Sequence, residues 1–226
     1  MRKCDIINDL MVSNQNNWSA ARLRHTIFLL LSLSLLGGCA GSLQLETSVD
    51  IPAPLVQQLP INVGLYIPEE ARNYVYLENS EERPNWSISI GSSKAEFFSK
   101  LLTPMFTTLD SLNSLSPTTN EYDAILIPKL QDIQFALPSE TGLAFYETWI
   151  KYELLLQSPG GNLIARFPST GFGRFEGGMF DNKADNLQMA TNNAFRDLGA
   201  DIVFHFKRNA DVQKWLSTYP TDIGIK

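Results

Sequence analysis

Runs of apolar residues in the middle of the chain predict a set of β-strands. Residues 61–67 (INVGLYI) favour a short buried strand, and weaker candidates follow at 74–77 and 86–90. Residues 124–137 begin as a continuous apolar run and then alternate beyond Pro128. Because proline cannot donate a hydrogen bond to a neighbouring strand, we expect a long strand that is bulged, or lies at a sheet edge, near Pro128.

The clearest alternation of polar and apolar positions lies in residues 145–157 (FYETWIKYELLLQ). One face of this segment is largely apolar, whereas Glu147, Lys151 and Glu153 share the other face. Residues 159–162 (PGGN) favour a tight turn, after which the chain returns through about residue 175. The pattern therefore predicts an antiparallel hairpin.

A first helix is predicted after Ser93. Ser93 and Glu96 have the spacing of a capping box, in which the two side chains satisfy free amides at a helix start. Apolar residues then recur at intervals of three and four between residues 97 and 109, as on one face of a helix. Pro104 is expected to bend this helix or to end it early.

A second and longer helix is predicted from Lys183. Apolar residues at intervals of three and four continue to residue 206. Gly199 leaves an extended segment at 202–206 as an alternative, because glycine weakens a helix interior. A short helix at 211–216 ends the folded part.

These elements predict an α+β protein with a mixed, mostly antiparallel sheet and two main helices packed on one face. The length of 226 residues fits one domain, predicted at 61–220 and followed by a tail at 221–226. Residues 39–60 include Pro52, Pro54 and Pro60 and show little periodicity, which is typical of a flexible tether.

The N-terminal region has the layout of a secretory signal. Ten apolar residues at 27–36 follow Arg22 and Arg24 and precede Gly38 and Cys39. Ten helical residues rise about 15 Å, roughly half of a bilayer's hydrocarbon core, so this run is too short for a stable transmembrane helix. Residues 1–38 are therefore predicted to be a cleaved signal peptide, whether translation starts at Met1 or at Met11.

The sequence LGGC at residues 36–39 resembles the lipobox of bacterial lipoproteins. The resemblance implies that Cys39 carries diacylglycerol and a further acyl chain such as palmitate, and that the signal is cut between Gly38 and Cys39. Ala40 takes the place of the aspartate that retains enteric lipoproteins in the inner membrane. The expected location is therefore the periplasmic face of the outer membrane, with a lipid anchor as the contact with the bilayer.

Charge excludes several kinds of partner. The leader has a net charge of +2, since it holds four basic residues and two acidic ones, so the formal charge of −6 becomes −8 in the mature chain. An acidic protein repels phosphate backbones and anionic lipid head groups, which argues against nucleic-acid partners and against a polybasic membrane contact. The only other cysteine, Cys4, lies in the leader, so no intramolecular disulfide is expected in the mature chain.

Residues suited to catalysis are sparse. His205 is the one histidine of the mature chain, and its apolar neighbours favour a satisfied structural histidine over a general base. The glycine-rich residues 171–178 match neither a dinucleotide fingerprint nor a P-loop, so a turn or strand end is the preferred interpretation. Acids that a glycosidase would need to pair are Asp132, Glu140, Glu147 and Glu153. We expect no metal, no cofactor and no enzymatic activity.

Phe145 and Trp149 stand out on the polar face of the predicted hairpin. Exposed aromatic side chains of this kind anchor protein partners. The alternative is that a helix or loop covers them.

The order of elements after the lipobox resembles a group of Gram-negative lipoproteins. It includes YajG-like proteins, accessory subunits of lipid-transport ABC systems, the curli-secretion lipoprotein and a lipoprotein activator of peptidoglycan synthases. The resemblance implies a sandwich like the TolB N-terminal domain and a role in binding or assembly.

Three hypotheses about function follow. The first is a non-enzymatic accessory lipoprotein that docks on an envelope protein machine through a sheet edge or the aromatic residues. The second is a periplasmic carrier of a small apolar or lipid ligand, which requires an enclosed cavity between sheet and helices. The third, more remote, is a hydrolase that uses paired carboxylates.

Overall fold

The computed structural model describes residues 43–46, 51–78, 86–89, 91–115, 121–178 and 181–219. The chain divides into two compact units, 1–41 and 42–226, and the described residues belong to the second. The predicted signal peptide, the cleavage site at Gly38 and Cys39, and the tail at 221–226 lie outside the described residues.

The described part contains eight strands and five α-helices. The strands are β1 (Leu43–Glu46), β2 (Leu59–Tyr66), β3 (Val75–Glu78), β4 (Trp86–Ser89), β5 (Phe106–Leu112), β6 (Ala124–Ala136), β7 (Phe145–Gln157) and β8 (Leu163–Glu176). The helices are α1 (Glu69–Arg72), α2 (Gly91–Leu102), α3 (Pro138–Thr141), α4 (Lys183–Arg208) and α5 (Ala210–Leu216), and a 3-10 turn (Thr103–Met105) follows α2.

The main sheet has five strands in the order β5-β2-β6-β7-β8. Strand β2 pairs in parallel with β5 and β6, while β6, β7 and β8 form an antiparallel meander of long strands. A smaller sheet has the order β1-β4-β3, with β1 parallel to β4 and β3 antiparallel to it. The architecture confirms the predicted α+β class with a mixed sheet.

Helices α2 and α4 pack on one face of the main sheet. Their aromatic side chains meet in the core, where the ring of Phe97 lies 4.9 Å from that of Phe98 and 5.0 Å from that of Phe195. Phe98 in turn contacts Tyr152 of β7, and Phe206 contacts Phe106 of β5, both through ring edges at just over 5 Å. These rings fill the space between helices and sheet.

The region around Pro104 differs from the prediction. The capping-box spacing suggested that Ser93 caps the helix. Helix α2 instead begins at Gly91, so Ser93 lies inside its first turn. The helix ends at Leu102, as Pro104 requires, and the apolar residues beyond it belong to the 3-10 turn and to strand β5. Sequence periodicity missed β5 because its apolar positions happen to continue the helical spacing.

Strand β6 lies inside the sheet, so a location at the sheet edge was wrong for the strand as a whole. Its ladder with β2 covers only Ala124 to Leu126, however, and Pro128 lies two residues further on. Beyond that point one side of β6 has no partner strand among the described residues, which suits a residue that has no N–H group. The predicted bulge lies between Leu130 and Asp132.

The predicted tether is partly folded. Strand β1 lies within residues 39–60, and Ile51 is 2 % exposed in the core. The ammonium of Lys207 on α4 also donates a 2.8 Å hydrogen bond to the carbonyl of Gln57. Proline spacing suggested a tether, but apolar burial at Ile51 fixes this segment against the domain, which therefore begins before residue 61.

The hairpin and the C-terminal helix are confirmed. Strands β7 and β8 pair antiparallel along their length, and Gly161 adopts a φ of 84° in the turn. Helix α4 is continuous through Gly199, so the extended alternative for 202–206 is excluded. Leu101 of α2 lies against Gly199, where a Cβ atom would be 3.1 Å from the leucine side chain.

Candidate functional site

The face of β6, β7 and β8 opposite the helices carries an exposed aromatic pair. Trp149 of β7 is directly across from Phe172 of β8, and their rings are 5.1 Å apart. The two side chains are 39 % and 40 % exposed. No helix or loop of the described residues covers them, so the alternative interpretation of Trp149 does not apply, and partner binding stays a prediction. We call this pair and its charged neighbours Glu147, Lys151 and Arg174 the outer-face patch.

Charges of both signs border the aromatic pair. Glu147 and Arg174 are cross-strand neighbours next to it, and Lys151 on its other side is opposite Thr170. On β6, the Asp132 carboxylate accepts a 2.7 Å hydrogen bond from the amide of Gln134. An aromatic centre with a polar, mixed-charge rim is typical of a protein-binding surface.

Phe145 lies on the same face but is less available than Trp149. It is half-buried, and the guanidinium of Arg174 lies 4.5 Å above its ring. The aromatic partner of Trp149 is instead Phe172, which the sequence analysis did not select. The signal that could have identified it is the period-two alternation along residues 163–176. By that alternation Phe172 lies on the opposite face of the strand from the buried Phe167.

Two glycines explain how α4 approaches β8. Gly171 and Gly173 lie inside β8, so the prediction of a turn or strand end was wrong for them. A Cβ atom at Gly173 would collide with the backbone of Ala190 and Ala194, and one at Gly171 would collide with the Ala194 carbonyl. Glycine is therefore required here by close helix–strand packing rather than by an unusual φ.

The close approach lets α4 close the free edge of β8. The carboxylates of Asp197 and Asp201 accept hydrogen bonds from the backbone amides of Phe172 at 2.9 Å and Thr170 at 3.1 Å. Asn193 donates to the carbonyl of Arg174 at 3.0 Å. Satisfied edge groups do not recruit another strand, so this edge is unsuited to docking by strand addition.

His205 lies on the exposed side of α4, and its apolar sequence context was misleading. Its Nδ1 atom is 3.0 Å from the carboxylate of Asp201, one helical turn earlier. Because Asp201 also holds Thr170, the imidazole joins the contacts that close the edge of β8. It is thus satisfied, as expected, but by a surface carboxylate rather than in the core.

The acidic candidates have separate local contacts. Glu140 accepts a 2.9 Å hydrogen bond from the backbone amide of Leu137 at the start of α3, and Glu153 lies 3.6 Å from Arg166 across the hairpin. Asp132 binds Gln134, while Glu147 belongs to the outer-face patch. These contacts are those of surface and capping residues.

A buried lysine is a further feature of the structure, and no pattern in the sequence predicted it. Lys94 lies in the first turn of α2 and is only 2 % exposed. Its ammonium lies 4.4 Å from the centre of the Tyr74 ring, a cation–π contact. Burial lowers the pKa of Lys94 from 10.5 to about 8. Lysine is almost never fully buried without a partner, so this position needs an explanation.

Lys94 lines a cleft of about 500 Å³ between α1, β3 and β6, which we call the Lys94 cleft. The bulge of β6 and Pro128 form one wall of it, and Tyr74 and Tyr76 lie along another. The cleft therefore lies beside the stretch of β6 that has lost its pairing with β2.

A second depression, the apolar groove, runs between residues 51–56 and helix α4. It has a volume of about 630 Å³, and Val203, Phe204 and Gly199 line its helical side. Phe204 is 53 % exposed and Leu55 is fully exposed. The guanidinium of Arg208 covers the Phe204 ring at 4.2 Å.

Neither a metal cluster nor a membrane-spanning helix is found in the described part of the chain. Its residues include no group of three or more His, Cys, Asp or Glu side chains placed to hold a metal ion. Across residues 43–219, as far as they are described, no helix is both long and apolar enough to cross a bilayer.

Comparison with known proteins gives likenesses of fold only. No protein-family model and no curated protein matches the chain. Among solved structures, a DUF330 protein from Xanthomonas campestris is 8% identical, with a TM-score of 0.49 and coverage of 79% of this chain and 99% of that one.

Two further solved structures are described as lipoproteins. A minor lipoprotein from Acinetobacter baumannii is 10% identical, with a TM-score of 0.39 and coverage of 68% of this chain and 95% of that one. An uncharacterized lipoprotein B from Nitrosomonas europaea is 14% identical, with a TM-score of 0.40 and coverage of 73% and 97%. At these identities and TM-scores, the likenesses carry no argument about function.

Proposed function

We propose that this chain is a non-enzymatic accessory lipoprotein of the bacterial envelope. Its lipidated Cys39 would hold it on the periplasmic face of the outer membrane, and its outer-face patch would dock on an envelope protein. The lipobox-like residues 36–39 support the anchor. The exposed Trp149–Phe172 pair on the outer face of the sheet is the observation that supports docking.

The outer-face patch, rather than the edge of β8, is the proposed contact. The edge of β8 is closed by Asp197, Asp201 and Asn193, whereas the outer-face patch presents two aromatic rings within a mixed-charge rim. Aromatic residues dominate binding energies because they bury much surface at little entropic cost. The patch borders an open depression of about 360 Å³ rather than an enclosed cavity, and an open surface with exposed rings suits another folded protein better than a small ligand.

The anchor is tested by Cys39→Ser in intact cells fed radiolabelled palmitate. We expect the wild-type protein to take up label and to remain with the outer-membrane fraction. The variant should take up none and should retain its leader, since the thiol is the acceptor of the lipid. Cys4→Ser is the matched control and should behave as wild type. Equal labelling of the Cys39→Ser variant would contradict the lipid anchor.

The docking surface is tested by crosslinking and affinity capture from intact cells. Trp149→Ala should lower recovery of the partner complex at least tenfold, or about 1.4 kcal/mol, because a central aromatic contact is removed. Phe172→Ala should behave alike. Leu163→Ala is the control, since Leu163 is 56 % exposed at the far end of the hairpin. Equal loss with all three variants, or with none, would argue against the patch.

A carrier of an apolar or lipid ligand is the second candidate function. The cavity that it requires between sheet and helices is filled by aromatic rings such as Phe97 and Phe195. The apolar groove at residues 51–56 still offers a volume within the range of small-ligand sites. If the capture experiment recovers no partner, lipid found in extracts of the purified protein would favour this function.

A further inference from the structure

We propose that the Lys94 cleft binds a small monoanionic ligand, a carboxylate on an apolar body, with the Lys94 ammonium as its counter-ion. This site is separate from the outer-face patch and does not depend on the docking role. The proposal rests on the geometry of Lys94, the composition of the cleft walls and the charges at its mouth.

The charge on Lys94 is not compensated within the described part of the protein. There, the face of Tyr74 is the one polar contact of its ammonium, and the ammonium forms no ion pair with a described carboxylate. A cation in the first turn of a helix also faces the positive end of the helix dipole. Burial and position therefore both disfavour the charged lysine until an anion approaches it.

The cleft is built where the sheet departs from regular pairing. Strand β6 loses β2 as a neighbour after Leu126 and bulges before Asp132. Bulges recur beside binding sites because they redirect side chains and interrupt the ladder. Gln131 in the bulge, together with Leu130 and Ile133, lines the cleft opposite Lys94.

The walls select an apolar body. Tyr74, Tyr76, Pro128 and Ile133 line the cleft, and Tyr76 is braced by an edge contact with Phe135 at 5.2 Å. A volume of about 500 Å³ falls in the usual range for a small organic ligand. An anion without an apolar part would leave the apolar surface of these side chains exposed to water.

The charges at the mouth select a single negative charge. Glu70, Asp132 and Lys129 line the cleft along with Lys94. Glu70 and Asp132 carry two negative charges, and the exposed Lys129 offsets only one of them. The mouth therefore repels a dianion such as phosphate, whereas a ligand with one carboxylate matches the single buried ammonium. Lowering of the Lys94 pKa by burial is consistent with a cation that gains from an added anion.

The test is titration of the purified full-length protein with sodium hexanoate, followed by amide chemical shifts in NMR spectra. Wild type should show saturable shifts centred on Tyr74 and the first turn of α2, with inorganic phosphate at least tenfold weaker. Lys94→Met should lose the saturable response while keeping its dispersed spectrum. Lys100→Met, which changes the exposed lysine of the same helix, should bind as wild type.

Three results would overturn the proposal. They are an absence of saturable shifts in wild type, hexanoate binding by Lys94→Met within twofold of wild type, and phosphate binding tighter than hexanoate. If Lys94→Met does not fold, Lys94→Gln in the same titration decides the question, because it keeps a polar side chain without the charge.

Discussion

Gly173→Ala should destabilise the protein by about 3 kcal/mol. The added methyl group collides with the carbonyl of Ala190 and the amide of Ala194, both of them backbone atoms of α4 that cannot move separately. Either the helix must leave the sheet or β8 must bend, and overpacking against backbone atoms lies at the upper end of the usual range of about 1 to 3 kcal/mol. The measurement is urea unfolding of the purified full-length protein, followed by circular dichroism.

Gly160→Ala is the matched control for this prediction. Gly160 lies in the hairpin turn, where the nearest atom to an added Cβ is the Ser158 hydroxyl at 3.8 Å. Its substitution should change stability by less than about 0.5 kcal/mol. A Gly173→Ala variant as stable as Gly160→Ala would show that α4 does not pack directly on β8.

Lys94→Met should make the protein more stable at pH 7, by about 2 to 3 kcal/mol. Lowering the pKa of Lys94 from 10.5 to about 8 corresponds to about 3 kcal/mol that the charged form costs in the folded state. Methionine fills a similar volume without a charge, and only the contact with Tyr74 is lost. Replacing a functional residue that lowers the stability of the fold is expected to increase the free energy of unfolding.

The pH dependence gives a second readout of the same residue. Between pH 8 and pH 10.5 the unfolded lysine is protonated and the folded one is not, so wild-type stability rises with pH. Below pH 8 the lysine is protonated in both states. The full cost of burying its charge is then present, and stability no longer changes with pH through Lys94. Burial raises the pKa of Tyr152, so this residue lowers stability with rising pH at still higher pH. Wild type and Lys94→Met share this effect, and it cancels in their difference.

The difference between wild type and Lys94→Met in urea unfolding at pH 7, 8, 9 and 9.5 therefore isolates Lys94. It should shrink steadily above pH 8. A constant difference across this range would contradict a lowered pKa at Lys94.

Local sequence patterns predicted the long elements of this fold well. Residues 145–157 alternate because one face of β7 meets the core, and the apolar stripe of α4 is long enough to outweigh Gly199. Strand β5 was missed because Phe106 and Leu109 continue the spacing of the preceding helix. The burial of Ile51 was missed because it depends on distant residues of α2 and α4.

The candidate sites were predictable only in part. Alternation places Trp149 on the polar face of β7, but its pairing with Phe172 depends on the register of β8. The isolation of Lys94 depends on which side chains reach the cleft, and no spacing in the sequence encodes that. Gly171 and Gly173 likewise appear as turn residues until the helix that lies against them is known.

The most direct test of the docking account is site-specific photo-crosslinking in intact cells. A photoreactive amino acid at Thr170, an exposed position beside the outer-face patch, should crosslink one envelope protein, and Trp149→Ala in the same chain should abolish that product. The same amino acid at Met189, 44 % exposed on α4, should give no such product. A partner crosslinked from Met189 but not from Thr170 would contradict docking through the outer face of the sheet.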